Sequence, residues 1–484
     1  MSNKLSWEKL FSEKRERETT TIKDHRNGFD KDYDRIVYSS SIRRLQDKAQ
    51  VFPLQENDFT RTRLTHSIEA SALARSLGLA IEEWLLENKK IKKKYRRYLP
   101  SLLQVSALIH DLGNPPFGHY GEDIIKNWFA NWFNSYEFNK FNKNLLNDNL
   151  RLKENEKFDF VNFEGNAQTL RIITKLQMLN DQYGVNFTYG TLATIMKYPW
   201  SSSDSKFVDE KYKKFGYFQS EKSIVNNIQK ATGLEDGVRH PATFLLEASD
   251  DISYLCADIE DAVKKGIIPW YDEYNRIKYK LLKTDYDKYY KVFESLDRKQ
   301  SDIKTNKIPD GVIASIQNFK VSMQGLLFNG VIKAFKDNYD KIMNGEFGHN
   351  SLVDNCNLDD LVKELRDLAK KYCFLDKEVL RLELVGDKVI NGLLDIFVPS
   401  LINCNEEPKA KKREGKLYEM ISPNFKYICK CDYDNSHKEK KIILKNFNEI
   451  RLYDKLLLIT DFISGMTDSY AVNLYKELIG VKLP

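Results

Sequence analysis

Cysteine is scarce in this chain, with six among 484 residues. The six are scattered, so the sequence does not predict the disulfide framework of a small secreted protein, and we expect a reducing, cytoplasmic location. Cys429 and Cys431 form a single CxC. A zinc site of this type needs a second pair, so we interpret these two cysteines as ordinary strand or loop residues.

Long apolar runs and glycine-rich phosphate loops are also missing. No apolar run approaches the ~20 residues of a membrane-spanning helix, and the charged N-terminus carries no export signal, so we expect no membrane partner. The sequence contains neither GxGxxG nor a P-loop, and it has no internal repeat. A glycine cradle for phosphate and a solenoid fold are therefore not predicted.

Neither sign of charge is in large excess. Lys and Arg number 76 against 70 Asp and Glu, a net charge of +6, which is compatible with a polyanionic ligand but does not require one. Seven basic residues do stand together between Lys89 and Arg97. Such a run is usually a solvated surface, and contact with nucleic acid or an acidic partner is the alternative.

Apolar residues recur at helical spacing over most of the chain, which predicts an all-α fold. The length suits about three domains or one large helical domain with insertions. We expect an N-terminal helix and connector (1–25), a core (26–270), and a helical C-terminal region that packs on the core (271–484). Residues 131–160 are rich in Asn, Lys and aromatics, which is typical of an insertion or a mobile flap.

The most informative stretch runs from Ser101 to Glu122. Apolar residues at helical spacing predict a buried helix that ends at His110 and Asp111, because Gly113 and the prolines after it stop the ladder. A charged pair at a buried helix end costs several kcal/mol unless it is compensated. We therefore predict a metal ion there.

His119 and Glu122, three residues apart, suit a general acid or base, although a surface ion pair is the usual interpretation of that spacing.

Two further segments could complete such a site. Within the stretch from Phe59 to Glu87 a long helix is predicted to begin after Thr65, its N-cap, with His66 in its first turn and Arg63 three residues before that histidine. Alone, His66 would be a capping or core residue.

A second helix is predicted from Pro241 to Gly266. Asp250, Tyr254 and Asp258 fall at i, i+4 and i+8, which places them on one polar face beside an apolar stripe. Asp251 points about 100° away and is the less suitable ligand. Lys197 and Lys214 could each bind a phosphate, and either could equally be exposed.

His66, the His110–Asp111 pair and Asp250 give the order H…HD…D, and with its surrounding motifs the chain resembles the HD-domain deoxyguanosine triphosphate triphosphohydrolases. The resemblance extends from Arg26 nearly to the C-terminus. The motifs that carry it are TRTRLTHSIE, HDLGNPPFGHYGE, FEGNAQTLRI, KYPW, GYFQSE, EASDDISY and DFISGMTDSYA. It implies an HD-domain helical bundle with an additional helical C-terminal region.

The resemblance also implies the roles of individual residues. The implied metal ligands are His66, His110, Asp111 and Asp250. The implied catalytic pair is His119 and Glu122. The implied substrate-binding residues are Gln50 near the deoxyribose, Arg63, Lys197 and Tyr198 toward the phosphates, and Tyr254 and Asp258 in the nucleotide site.

The activity that the resemblance implies is metal-dependent hydrolysis of dGTP, with other dNTPs left open, to deoxynucleoside and inorganic triphosphate. Manganese or magnesium is the expected cofactor, with iron, cobalt, nickel or zinc as alternatives. The implied assembly is a homo-oligomer, a tetramer or hexamer, in which the helix around Gly386 and Gly392 is a candidate interface. Single-stranded DNA is a candidate activator.

Two other interpretations stay open. The chain could be an HD phosphodiesterase or alarmone hydrolase, although LGNPPFGH rather than acidic residues follows the HD pair. It could also be a single-stranded nucleic-acid-binding regulator with a vestigial HD site, which the basic runs favour and the four intact ligand positions oppose.

Overall fold

The computed structural model describes residues 4–18, 24–52, 54, 59–145, 148–178, 181–204, 214–404, 406–434 and 441–481. These residues form 22 α-helices and one antiparallel pair of strands, β1 (Cys431–Asp434) and β2 (Lys441–Leu444), so the all-α prediction is confirmed. The helices are α1 (Trp7–Leu10), α2 (Gly28–Val37), α3 (Ser40–Arg44), α4 (Arg63–Glu87), α5 (Tyr98–Ile109), α6 (Gly118–Phe133), α7 (Tyr136–Asn144), α8 (Glu154–Val161), α9 (Gly165–Arg171), α10 (Tyr189–Ile195), α11 (Lys222–Thr232), α12 (Pro241–Lys264), α13 (Trp270–Thr284), α14 (Tyr286–Thr305), α15 (Gly311–Asp337), α16 (Tyr339–Met343), α17 (Asp359–Tyr372), α18 (Lys377–Ile402), α19 (Arg413–Met420), α20 (Pro423–Lys430), α21 (Leu452–Ser464) and α22 (Asp468–Leu478).

Three helices at the centre of the molecule, α4, α5 and α12, position the site. α4 packs along α5, and α12 packs against both. Their contact surfaces are apolar, and Leu77, Leu102 and Ile252, one from each helix, are fully buried. Each such side chain contributes about 1.5–3 kcal/mol by leaving water. The packing therefore fixes the three backbones that carry the predicted metal ligands.

Helix α4 begins earlier than the sequence analysis predicted. Thr62, not Thr65, is the N-cap, and the two threonines form a reciprocal capping box in which each side chain accepts from the other's backbone N–H. The prediction of Thr65 as N-cap was wrong because both residues suit an N-cap and Thr65 serves as the third helical residue of the same motif. His66 still lies in the first turn.

The segment after α5 is held by residues from both ends of the chain. α5 ends at Ile109, slightly before the predicted end at His110 and Asp111, and His110 is its C-cap. The Lys48 ammonium donates to the backbone carbonyls of Asn114 and Ser464, and Asp468 accepts the backbone N–H of Phe117. The C-terminal helices therefore help to fix the turn between α5 and α6.

Helices from the second half of the chain pack directly on the central three. α15 contacts α12 and α4, and α18 contacts α6, α21 and α22. One apolar core extends from the N-terminal helix to α22. The domain limits near residues 25 and 270 stay predictions. Among the described helices, none is long and apolar enough to span a membrane.

The described part of residues 131–160 is largely helical and packed, which does not suit a mobile flap, and the insertion stays a prediction. α6 continues to Phe133, and α7 and α8 follow. Their aromatic side chains cluster, with ring centroids 4.8 Å apart for Trp132 and Phe138 and 4.9 Å apart for Phe129 and Phe160. The sequence pattern missed this packing because it counted periodic aliphatic residues, whereas aromatic rings bury the contact here.

Candidate metal centre

Three of the four predicted ligands meet where α4, α5 and α12 converge. His66 Nε2 lies 3.0 Å from Asp250 Oδ1, and His110 Nε2 lies 3.4 Å from the same oxygen. Within the described part of the chain, these three residues form the one group whose ligand atoms all lie within 4.8 Å of one another. The arrangement is a possible His/Asp metal site built from residues far apart in sequence.

Asp111, the fourth predicted ligand, lies at the edge of this group. Its Oδ1 is 3.4 Å from His110 Nε2 and accepts from the Asn114 amide at 2.6 Å. Its Oδ2 accepts from the Arg63 guanidinium at 2.7 Å. The carboxylate is thus oriented toward His110 and is held there by an amide and a cation.

His110 is oriented as metal-binding histidines commonly are. Its Nδ1 lies 2.7 Å from the carbonyl of Ala107, and because a carbonyl only accepts, Nδ1 must carry the proton. Nε2 then faces the two carboxylates. Nε2 is buried and has no hydrogen-bond partner of good geometry among the described residues. An orphaned imidazole nitrogen beside carboxylate oxygens fits a divalent cation.

The electrostatics of the group favour positive charge at this point. Burial opposes the charged form of His110, but Asp111 and Asp250 outweigh it and raise the pKa of His110 to about 9. Burial likewise opposes ionisation of Asp250, but the charge and close approach of His110 and the contact with His66 hold its pKa well below the usual value. A divalent cation would satisfy the charge that the proton on His110 otherwise supplies.

His119 and Glu122 form a pair at the start of α6. His119 Nδ1 lies 3.0 Å from Glu122 Oε2, and the imidazole is 69% exposed whereas the carboxylate is 3% exposed. Glu122 Oε1 also accepts the backbone N–H of Gly165 at 2.9 Å. Burial alone would raise the pKa of Glu122, but the hydrogen bond from His119 and the nearby Lys214 lower it. An ionised Glu122 therefore holds an exposed imidazole by Nδ1.

One pocket is lined by His110, Asp111 and Asp250, by His119 and by two lysines. The space between its lining side chains, open solvent at the mouth included, is about 610 Å³. The predicted site residues that line it are His110, Asp111, His119, Lys197, Tyr198 and Asp250, and Lys214 lines it as well. Lys197 Nζ lies 3.1 Å from the Glu247 carboxylate, and Lys214 Nζ lies 4.0 Å from that of Glu164.

Four predicted substrate-binding residues do not line this pocket. Arg63 is buried behind Asp111. Tyr254 is half-buried and hydrogen-bonds Arg366. Asp258 is buried, and its burial raises its pKa to about 7 even though His66 opposes the rise. Gln50 is half-buried, and its side-chain oxygen has no partner among the described residues.

Sequence analysis did not identify Asn114, Asn166 and Glu247 as site residues, and all three line the pocket. Asn114 could have been found, because it stands three residues after Asp111 in the turn that ends α5. Glu247 lies three residues before Asp250 on α12, so its face was predictable. The pairing of Glu247 with Lys197 was not predictable, because the two residues come from different elements.

The basic run from Lys89 to Arg97 is partly neutralised within the chain. Lys92 pairs with Glu8 at 2.6 Å, Arg96 with Glu83 at 3.3 Å, and Arg97 with Asp30 at 3.2 Å. These exposed pairs contribute little stability, but they reduce the charge available to nucleic acid. Activation by single-stranded DNA stays a prediction.

Comparisons with known proteins agree with this geometry. The model of the HD domain family matches residues 63–161, a stretch that contains His66, His110 and Asp111 but not Asp250. A deoxyguanosinetriphosphate triphosphohydrolase-like protein of Listeria innocua is 39% identical over 99% of this chain and all of its own length. A like-named protein of Synechocystis is 32% identical over 99% of this chain and all of its own length. A deoxyguanosinetriphosphate triphosphohydrolase of Yersinia enterocolitica is 32% identical over 94% of each chain.

Proposed function

Because the chain belongs to the HD-domain family of deoxyguanosinetriphosphate triphosphohydrolases and their like-named relatives, we propose that it hydrolyses dGTP to deoxyguanosine and inorganic triphosphate. The observation that carries the proposal is the pocket that is lined by His110, Asp111 and Asp250, by His119 and by two lysines. Other dNTPs are candidate substrates as well. A cytoplasmic location would suit such an enzyme.

The metal ligands in this proposal are His66, His110 and Asp250, with Asp111 as the fourth. Two imidazoles and two carboxylates suit manganese, magnesium, iron, cobalt, nickel or zinc, and we propose manganese or magnesium. A bound divalent cation would supply Lewis-acid charge against an oxygen of the α-phosphate. Arg63 keeps Asp111 turned toward His110 through the contact at 2.7 Å.

His119, oriented by Glu122, would protonate the leaving group. Because Nδ1 faces Glu122, Nε2 of the exposed imidazole is the atom free to approach a substrate. A protonated His119 could donate to the 5′-oxygen as the bond to the α-phosphorus breaks, and the ionised Glu122 would stabilise the imidazolium. Lys197 and Lys214 would offset the negative charge of the phosphates.

The nucleoside would extend from the phosphates along α12. Tyr254 and Asp258 stand one and two helical turns beyond Asp250 on this helix, and we propose that they contact the nucleotide. Gln50 is proposed for the deoxyribose, since its buried amide oxygen has no partner among the described residues. A hydroxyl of the sugar could donate to that oxygen.

The test is a product assay with dGTP, dATP, dCTP and dTTP, each with Mn²⁺ or Mg²⁺. The expected products are the deoxynucleoside and inorganic triphosphate, with dGTP turned over fastest. Formation of dGMP and pyrophosphate, or no turnover of any of the four, would reject the proposal.

We also propose a homo-oligomer, a tetramer or hexamer. Gly386 and Gly392 do not support the proposal, because a Cβ on Gly386 would lie 2.7 Å from the Phe117 ring and one on Gly392 would lie 2.2 Å from the Tyr475 ring. Both glycines thus serve contacts within the chain. Support comes instead from Leu380 and Leu384 on α18, which are 41% and 67% exposed. Light scattering on the wild type and on Leu384→Glu tests the proposal, with a smaller particle expected for the variant.

A further inference from the structure

Glu247 is an unexpected residue in a pocket that would have to accept a polyanion. Its side chain lines the pocket beside Lys197 and Asp250. It stands three residues before Asp250 on α12, so the two carboxylates share a helical face. A triphosphate in this pocket would therefore meet a carboxylate that the proposed chemistry does not use.

The contacts of Glu247 keep it ionised and keep it on Lys197. One carboxylate oxygen lies 3.1 Å from Lys197 Nζ, and the other accepts from the Arg239 guanidinium at 2.7 Å. Arg239 is buried and packs over the Phe244 ring, so it anchors Glu247 from behind. Burial would raise the pKa of Glu247, but Lys197 and Arg239 outweigh burial and lower it.

Lys197 is surrounded by acidic side chains from one helix. Burial opposes its charge, but Tyr198, Glu247, Asp251 and Asp250 raise its pKa well above the ordinary value. Its ammonium group is thus charged and is paired with Glu247. An arriving phosphate must share Lys197 with Glu247, and it is also repelled by that carboxylate.

We propose that Glu247 competes with the polyphosphate for Lys197, and that this competition limits how tightly the pocket holds inorganic triphosphate so that the product can leave. The inference rests on the proposed function, because it takes triphosphate as the product. Glu247 does not touch the reacting atoms in this scheme. It is a positioning residue that acts through Lys197.

The test is calorimetric titration of inorganic triphosphate into the wild type and Glu247→Gln at a fixed Mn²⁺ concentration. The glutamine can still accept from Arg239 but removes the charge. We expect its Kd to be about 10-fold lower, because one repulsive charge near the polyanion is gone and Lys197 is released. In steady-state assays, KM and kcat should both fall, and added triphosphate should inhibit the variant at lower concentrations.

The matched control is Glu260→Gln, which removes another buried ion-paired carboxylate from α12, one that bonds Arg61 and Lys320. It should bind triphosphate as the wild type does. If Glu247→Gln does not fold by its melting curve, Glu247→Met takes its place with the same expectation. An unchanged or higher Kd in the folded variant would overturn the inference, as would an equal change in Glu260→Gln. Failure of the proposed function would appear separately in the product assay, as a wild type that binds triphosphate tightly but forms no deoxynucleoside.

Discussion

His110 shows how single atoms prepare this site for a cation. Its Nδ1 is committed to the Ala107 carbonyl, and its Nε2 faces the carboxylates of Asp111 and Asp250. Burial opposes the charge of His110, but Asp111 and Asp250 raise its pKa to about 9, so a proton occupies Nε2 near neutral pH. Cation binding must displace that proton, and affinity should therefore rise with pH up to about 9.

Asp250 is the ligand whose loss should weaken metal binding most, since its Oδ1 contacts both histidines. For Asp250→Asn we expect Mn²⁺ affinity to fall by roughly 100-fold or more. The affinity is measured by titration with Mn²⁺, with the free ion monitored by electron paramagnetic resonance. Asp251→Asn is the matched control on the neighbouring position of α12, and its affinity should stay within a few-fold of the wild type. Equal losses in the two variants would contradict the ligand assignment.

His119 and Glu122 should affect turnover without affecting the metal. His119→Gln is expected to lower kcat by about 10²–10⁴-fold, the usual size of a general acid contribution, while its Mn²⁺ affinity is retained. Glu122→Gln should lower kcat in the same direction because the imidazolium loses its partner. Asp123→Asn, which breaks an exposed pair with Lys126 on the same helix, should leave kcat unchanged. A full kcat in His119→Gln would remove the residue from the mechanism.

At the scale of elements, the turn from α5 to α6 depends on the helix behind it. Phe117 has a left-handed backbone, with φ of 62°, directly before Gly118 and His119. Its ring packs against α18 at Gly386, where a Cβ would approach it to 2.7 Å. A side chain at Gly386 must push on the residues that present His119.

Gly386→Ala should therefore lower kcat although it lies outside the pocket. The control is Gly325→Ala on α15, where a Cβ would meet nothing within 4 Å. That control should gain about 0.5–1 kcal/mol of unfolding free energy from the better helix former and keep its activity. Urea unfolding and steady-state kinetics on both variants give the comparison, and an active, stabilised Gly386→Ala would show that the contact does not constrain the turn.

For the whole molecule, buried ion pairs should make the free energy of unfolding depend on pH. Burial would raise the pKa of Glu260, but Lys320, Lys264 and Arg61 lower it from 4.5 to about 2. A lowered folded-state pKa means that the ionised carboxylate stabilises the fold above pH 4.5 and that this contribution disappears as the pH falls toward 2. The melting temperature of Glu260→Gln should thus lie below that of the wild type at pH 7, and the gap should shrink below pH 4.5. A gap that is constant from pH 7 to pH 3 would contradict this origin of the stability.

Apolar spacing predicted the helical class, because it fixes which helix face is buried, and the resemblance to the HD-domain family implied that His66, His110 and Asp250 converge. The sequence analysis also preferred Asp250 to Asp251 from helix geometry alone. It could not predict the pairing of Lys197 with Glu247 or the clamp of Lys48 on Asn114 and Ser464, since these contacts join segments far apart in the chain. The sequence analysis did not predict the aromatic packing of α7 and α8, because aliphatic residues do not recur there at helical spacing.

The most direct test of the whole account is hydrolysis of dGTP in ¹⁸O-labelled water, with the products separated and weighed by mass spectrometry. If water attacks the α-phosphorus and the 5′-oxygen leaves with a proton from His119, the label enters inorganic triphosphate and deoxyguanosine stays unlabelled. Label in deoxyguanosine or in dGMP would contradict the account.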